Sequence, residues 1–451
     1  MGHLVVIGGS DAGTSAALRA REIDPTIEVT LLCADRFPNF SICGLPFFLS
    51  GEVRDWRTLA HRNVEELEGK GIRLLLEHRA ETIDPVRKTV SAKSSDGKAH
   101  LLKYDRLAVC TGAVSVSPRI DGIGLPGVFP LRWMADGFAL KEFLEKKQPK
   151  DAVIVGGGYI GMEMADAFRY RGMNVTVVEF ADTVLTTLDP ELGRIVEQTL
   201  SEHGVTVKTR SPVSAIGRED ERLLVTGGDE LRIKTDLVLF AVGVRPETAL
   251  AASAGVRAGE RGAIRVNRRM ETSMKDIYAA GDCVETWHHL LEKNVYMPLG
   301  TTAHKQGLAA GENAAGGNRE YQGSLGTQVV KIFDLVAART GLRDHEAKEA
   351  GFDPLTVEFE GWDHKAYYPG AQKLTVRMTG DRSTGRLLGV QMIGSRNSEI
   401  SKRVDVIAAA LFKGMDVSEF PDLDLSYTPP LGSPWDPIQT TAQEWMKQKT
   451  K

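Results

Sequence analysis

Ala152-Val153-Ile154-Val155-Gly156-Gly157-Gly158-Tyr159-Ile160-Gly161 opens with an apolar run of strand length, breaks into three glycines and continues as a helical pattern to about Arg171. A second strand pattern, Asn174–Glu179, follows at once. Gly156, Gly158 and Gly161 fit the spacing G-x-G-x-x-G. The first glycine permits a tight turn, the second lets a pyrophosphate approach the backbone, and the third lets helix and strand pack closely. The helix that starts there offers unpaired N–H groups and a positive dipole end to an anion. Tyr159 and Ile160 sit inside this cradle, and Glu179 ends the second strand, 23 residues after Gly156. A carboxylate there accepts both ribose hydroxyls and repels a 2′-phosphate. The segment therefore predicts a nicotinamide dinucleotide site that prefers NADH, with NADPH the less favoured coenzyme.

The pattern also stands about 150 residues upstream: strand Leu4–Ile7, turn Gly8-Gly9-Ser10-Asp11-Ala12-Gly13, helix from about Thr14 to Glu22, strand Ile27–Leu32. Two such units predict two Rossmann-like βαβ domains rather than a solenoid. The upstream cradle departs at two places. Ser10 replaces the middle glycine, and Cys33 stands where a ribose-binding acid is expected, with Asp35 two residues on as the other candidate. Two distant segments support it. Leu107–Cys110 is a strand pattern ending in Thr111-Gly112, where the chain could leave the first domain. Ile277-Tyr278-Ala279-Ala280-Gly281-Asp282 is a buried strand pattern whose terminal carboxylate suits a flavin ribityl hydroxyl beneath a helix start, so this half predicts FAD. From about Thr327 the pattern changes to strands such as Leu374–Met378 and Leu387–Met392 and a helix near Ser401–Lys413, a separate α+β domain. Residues 311–326 are expected to form a linker and 447–451 a frayed tail.

The 451 residues exceed one ordinary core. A net charge of -4 gives no electrostatic case for nucleic acid. No apolar run approaches the roughly 20 residues that span a bilayer. The chain opens on a strand pattern without a leader, so a cytoplasmic location is expected. Cys33, Cys43, Cys110 and Cys283 form no CxxC pair and no zinc spacing, and His288-His289 lack companion ligands, so no metal is expected.

The order of glycine cradle, Thr111-Gly112, second cradle, Gly243-Val244-Arg245-Pro246 and Tyr278-Ala279-Ala280-Gly281-Asp282 resembles the pyridine nucleotide-disulfide oxidoreductases, flavoproteins with two dinucleotide-binding domains. The resemblance covers essentially the whole chain. It implies an NAD domain inserted in an FAD domain: FAD on 1–113 and 243–322, NAD on 114–242, and a C-terminal α+β dimerisation domain over 323–451. Phe40-Ser41-Ile42-Cys43-Gly44-Leu45-Pro46 is similar to the single-cysteine branch, which holds coenzyme A-disulfide reductases, NADH oxidases and peroxidases, and persulfide reductases. The branch with an internal cysteine pair needs a second cysteine five residues on, where this chain has Phe48.

Cys43 stands before Gly44-Leu45-Pro46, a helix start with proline in its first turn, and a helix dipole there would lower the thiol pKa. The resemblance gives Cys43 the redox role, places an aromatic gate at Tyr159, and brings Tyr367, Tyr368 and Tyr427 across a homodimer interface towards the cysteine; interface packing is the alternative for these tyrosines. It sets Ser41, Thr302 and Ala303 near the flavin. His304 is either a substrate contact or a neighbour of a helix cap. Glu163 reaches the carboxamide end of the nicotinamide or forms a buried cap or salt bridge. Arg169 and Arg171 read as solvated charges. Trp435 stands where coenzyme A-disulfide reductases carry a lysine, which weakens coenzyme A as the substrate; Arg19, Arg21, Arg62 and Lys70 could form a different anion site. The implied activity is FAD-dependent, NADH-driven reduction of a low-molecular-weight disulfide, persulfide or related thiol compound. NADH oxidation by oxygen through a Cys43 sulfenic acid and electron transfer to a protein partner are the alternatives.

Overall fold

A computed structural model describes residues 2–228 and 230–450. The upstream repeat forms the centre of a five-stranded parallel sheet in the order Ile277–Ala279, Arg106–Val109, His3–Ile7, Glu28–Leu32, Ile72–Leu75. Leu4, Val5, Val6, Leu31, Leu107 and Ala108 are fully buried. Unbroken apolar runs of this kind suit parallel strands covered on both faces. The downstream repeat makes a second five-stranded parallel sheet: Val205–Lys208, Asn174–Val178, Asp151–Val155, Leu237–Phe240, Val128–Pro130. The helices of the two repeats run Asp11–Ile23 and Tyr159–Tyr170, the first starting three residues before the expected Thr14.

The chain passes from the first unit to the second, and back, along one antiparallel pair, Ala113–Ser115 with Val244–Pro246. The Thr111 hydroxyl donates to the Glu247 carbonyl, and the Glu247 N–H donates to the Gly112 carbonyl at 2.9 Å. The third unit is an antiparallel sheet, Gln328–Ile332, Leu335–Gly341, Leu387–Ser395, Lys373–Asp381, Pro354–Trp362, backed by helices Ile400–Phe412 and Pro437–Lys449. Its core contains Met378, Met392, Ile407, Phe420 and Trp445.

Two expectations are corrected. Gly311 does not open a linker but lies within the helix Gly300–Ala314. A Cβ at Gly307 or Gly311 would lie 2.3 or 2.1 Å from the carbonyl oxygens of Ala12 or Ala16. The four-residue glycine spacing therefore lets this helix lie backbone to backbone on Asp11–Ile23. The supposed frayed end is also helical as far as Lys449. Trp445 anchors that helix, its indole N–H donating to the Leu355 carbonyl at 2.7 Å. Lys451 lies outside the described residues.

Candidate active site

The nicotinamide cradle has the geometry its glycines require. Gly156 has φ +111°, and a Cβ there would lie 2.4 Å from the Ala241 carbonyl oxygen. A Cβ at Gly161 would lie 2.1 Å from the Gly156 oxygen, whereas the space at Gly158, the residue capping the helix, is open. Glu179 turns its carboxylate into the cradle, accepting from the Gly157 N–H and, at 2.8 Å, from the Ala181 N–H. The residues fit a dinucleotide: an open approach at Gly158, a helix start, and an acid at the ribose position. Ile160 packs in the core beneath it, beside Tyr159. Glu163, one turn into the helix, is pushed up to about 7 by burial, with Asp166 acting in the same direction and Lys331 against it. Arg169 and Arg171 are not solvated charges. Arg169 donates to the carbonyls of His203 and Met173, and Arg171 to that of Leu49, ties that sequence spacing alone cannot show.

The upstream cradle repeats this geometry with different side chains. Gly8 has φ +116° and Gly13 packs on the Gly8 oxygen. Ser10 caps the helix without a side-chain bond, and Asp11 and Ala12 open its first turn. Cys33 lies against Gly9, whose Cβ would be 2.8 Å from Sγ. The Cys33 thiol donates to Asp35 at 3.2 Å, and burial with the Asp35 carboxylate drives its pKa far upward. Asp35 also accepts from the Phe37 N–H. Gly281, with φ +91°, meets Ala12 and Ala303, so the Gly281-Asp282 turn and the helix beginning at Gly300 converge on the helix start at Ser10. Thr302 is buried there. Sequence reasoning missed three members of this group. Arg132 pairs with Asp282 at 2.6 Å, Gln306 accepts from the Gly281 N–H at 2.9 Å, and Asn39 places a buried, unpartnered Oδ1 beside the cradle while its N–H donates to the Gly9 carbonyl. An orphaned acceptor, two helix starts and a part-buried carboxylate fit a hydroxyl-rich dinucleotide such as FAD. Their signal was three-dimensional: no local pattern joins residues 39, 132 and 306.

Cys43 hangs between the two cradles. Its segment is pinned by the Ser41 N–H donating to the Leu59 carbonyl at 2.8 Å and by an aromatic cluster of Phe37, Phe40, Trp56 and Phe138. The helix that follows, Leu45–Ser50, has only six residues. The expectation of a dipole-lowered thiol is corrected. The protein around Cys43 raises its pKa first by desolvation and then through Glu163 and Asp11, with Arg132 opposing. Desolvation and two part-buried carboxyl groups push the thiol upward, the direction opposite to that of a helix dipole. Of the four cysteines Cys43 is the exposed one; Cys33, Cys110 and Cys283 are buried.

Beside this segment lies a cavity of about 500 Å³ lined by His61, Arg62, Glu66, Lys70 and His304. His304 is held by Ser15 (Nδ1 to Oγ, 3.0 Å) and faces Asp11 (Nε2 to Oδ1, 3.4 Å). Atoms of Asp11, His61 and His304 capable of binding a metal lie within 4.8 Å of one another. Burial raises the Asp11 pKa, and the two histidines pull it down. Of the four cations expected at an anion site, the structure brings Arg62 and Lys70 to the cavity and commits the other two elsewhere. Arg19 pairs with Glu312 and Glu22, and Arg21 is spent on the carbonyls of Pro25, Ile27 and Lys70.

The pyridine nucleotide-disulphide oxidoreductase family matches residues 2–307, and its dimerisation domain matches 327–436. The chain belongs to this family. Its members are FAD-dependent enzymes that use NAD(P)H. The chain is 36% identical over 441 residues to a CoA-dependent NAD(P)H sulfur oxidoreductase of Pyrococcus furiosus, covering 98% of each. It resembles the solved NAD-dependent persulfide reductase of A. fulgidus with a TM-score of 0.95 and 36% identity, covering 99% of this chain and 84% of that one. The reduced CoADR-RHD of Bacillus anthracis gives a TM-score of 0.96 at 31% identity, covering 100% and 81%.

The family's dimerisation domain carries the three tyrosines. Tyr367, Tyr368 and Tyr427 are 74%, 42% and 45% exposed and stand on two joined loops, where the Lys365 N–H donates to the Pro429 carbonyl at 3.2 Å. Among the described residues no hydrogen bond, ion pair or ring contact links them to Cys43 within the chain. Trp435 and Leu431 extend the same exposed apolar surface, while Asp436 caps the last helix and pairs with Arg403. His288 is buried and accepts from the N–H groups of Leu290 and Leu291, and burial lowers its pKa to about 4. No helix among the described residues is long and apolar enough to cross a membrane.

Proposed function

We propose that this oxidoreductase uses NADH to reduce a low-molecular-weight disulfide, persulfide or related sulfur compound through Cys43. The observation that carries the reading is a single accessible cysteine between two dinucleotide cradles, with Phe48 where a resolving cysteine would stand. Residues 1–113 and 243–322 hold FAD, 114–242 hold NADH, and 323–451 join a second copy in a homodimer. Bound FAD supplies the two-electron relay from the nicotinamide to sulfur.

The Cys43 thiolate attacks one sulfur of a disulfide RS–SR. A Cys43–SR bond forms, the RS–SR bond breaks, and the departing RS⁻ takes a proton. Two electrons and one proton from NADH, with a second proton from the surroundings, then cleave Cys43–SR to the second RSH and restore the cysteine, so that NADH + H⁺ + RSSR gives NAD⁺ + 2 RSH. Desolvation, then Glu163 and Asp11, raise the Cys43 pKa, with Arg132 opposing, and the thiol gives up its proton before attack. His304, held by Ser15, faces the cavity beside the Cys43 segment and orients the substrate there. Tyr427, with Tyr367 and Tyr368, approaches from the partner and protonates the leaving sulfur. Glu163 positions the carboxamide of the nicotinamide, and Tyr159 covers the pocket as a gate. Glu179 selects the unphosphorylated ribose. Arg62 and Lys70, set against the single carboxylate of Glu66, leave the cavity lining net positive, so an acceptor with an anionic substituent is favoured.

NADH consumption by the purified enzyme, with and without oxygen and across a panel of disulfides and persulfides, tests the reading. Cys43→Ser is expected to lower sulfur-dependent turnover by roughly 10³-fold or more while flavin reduction by NADH persists. Sulfur turnover that survives Cys43→Ser would overturn the mechanism. Rapid consumption with oxygen alone would turn the assignment to an NADH oxidase.

A further inference from the structure

The loop between Glu179 and the helix Pro190–Glu202 is fastened on two sides. On one side it rests on the nicotinamide cradle: the Leu185 N–H donates to the Gly157 carbonyl at 2.8 Å, and the Thr187 hydroxyl donates to the Tyr159 oxygen at 3.3 Å. On the other side the C-terminal sheet grips it. Arg339 Nη1 donates to the Thr187 carbonyl at 2.8 Å, and Arg343 Nη1 to the carbonyls of Thr186 and Leu188 at 2.7 and 3.1 Å. Both guanidinium groups are held by Glu346, at 2.7 and 2.8 Å, and they bring the Glu346 pKa down to about 2. Asp189 closes the grip. Its N–H donates to Gln391 Oε1 at 2.6 Å, and its carboxylate accepts from Gln391 Nε2 and Arg377 Nε at 2.7 and 3.1 Å.

These bonds differ in kind. Arg339 is 8% exposed and Asp189 6%, so residues 187–189 are bound by buried and part-buried contacts, most of them charge-assisted, that do not give way singly. The Thr187–Tyr159 bond is a long, neutral hydroxyl pair at 3.3 Å, the weakest link in the chain of contacts. When a ring on the cradle has to move for a nicotinamide, this bond is the one that breaks.

We infer that Thr187 is a latch on the Tyr159 gate, a positioning residue whose place is set by the C-terminal domain through Arg339 and Arg343. The inference rests on the reading of Tyr159 as the gate. Opening the pocket breaks the latch, so the latch opposes coenzyme entry, and apparent affinity reflects the fraction of molecules with the gate open. The C-terminal sheet thereby acts on the nicotinamide pocket without touching the coenzyme.

The test is the dissociation constant of NAD⁺ for the FAD-loaded enzyme, measured by calorimetry, with the melting temperature recorded for each variant. Thr187→Val keeps the shape and removes the donor; Thr187→Ser keeps the donor. Thr187→Val and Tyr159→Phe are each expected to tighten NAD⁺ about two- to tenfold, the worth of one net hydrogen bond. The double variant adds no more than either single one, Thr187→Ser binds as the parent does, and the melting temperatures stay together. Additive effects in the double variant overturn the latch, since two groups that act only through their shared bond cannot add. Tyr159→Ala separates the latch from the gate. If Tyr159→Ala shifts NAD⁺ affinity and Thr187→Val does not, the latch fails alone. If neither shifts it, the gate reading fails and takes the latch with it.

Discussion

The two cradles share a backbone and differ in what the second strand delivers to it. In each, a glycine with φ above +110° turns the chain and a later glycine packs on that turn's oxygen: Gly8 with Gly13, Gly156 with Gly161. In the downstream cradle Glu179 reaches in and takes the Gly157 N–H. In the upstream one the equivalent reach is made by the Cys33 sulfur, buried against Gly9, and the acid is displaced to Asp35. One turn into the helices, the position of Glu163 is taken in the upstream repeat by Ser15: the first is a part-buried acid whose pKa is pushed up to about 7, the second a hydroxyl holding His304. On the function proposed above, the glycines make a phosphate site, and the strand ends and first helical turns decide which nucleotide it serves and what chemistry stands next to it.

Substitutions made in parallel test that division. The largest effect is expected from Gly8→Ala, where a Cβ would lie 2.0 Å from the Cys110 oxygen: the protein should purify without flavin absorbance. Gly156→Ala should leave the flavin bound and weaken NADH about 10- to 100-fold by titration, matching backbone strain of roughly 1–3 kcal/mol. If Gly156→Ala also loses FAD, the cradles are not independent. Glu179→Gln comes next. It should narrow the preference for NADH over NADPH in kcat/KM by about tenfold or more, the scale of a hydrogen bond to a charged group.

Glu163→Gln is a pH experiment. The folded enzyme holds the Glu163 proton up to about pH 7, against an ordinary value of 4.5, so the folded state binds more protons than the unfolded one between those values. This group's contribution to stability therefore falls as pH rises through that window. Glu163→Gln should be more stable than the parent at pH 8, by on the order of 1–3 kcal/mol, and equal to it below about pH 4.5. Ser15→Ala should show no such slope in denaturant midpoints. The smallest effect is expected from Asp35→Asn, whose carboxylate already accepts from Cys33 and Phe37: FAD release should quicken by only a few-fold. A larger effect from Cys33→Ser would give the ribose contact to the sulfur position instead.

Elements with strong local signals were legible. The strands His3–Ile7 and Asp151–Val155 and the helix Tyr159–Tyr170 match their patterns to within a residue, because apolar runs and glycine turns are written locally. Gly311 was misread because a glycine that permits helix contact and one that loosens a linker look alike until the partner, Ala16, is known. The motif around Cys43 singles it out but says nothing of its pKa. Its upward shift comes first from desolvation and then from Glu163 and Asp11, with Arg132 opposing, groups that reach it from three separate parts of the chain. Arg132, Asn39 and Gln306 left no trace for the same reason. Their partners Asp282, Gly9 and Gly281 are fixed only when the sheets assemble.

The antiparallel pair Ala113–Ser115 and Val244–Pro246 carries a consequence of its own. The stretch between them leaves and re-enters at adjacent positions, with ends about 5 Å apart as in any paired strands. Bridging that gap after excision needs only a short loop, and short closures are entropically cheap. A coding segment bounded there keeps the same two strand ends, but Arg339, Arg343, Arg377 and Gln391 also grip its residues 186–189, so an exchanged segment has to present the same loop to the C-terminal domain. The ribbon is thus a splice point for coenzyme choice whose fit is decided at that second contact.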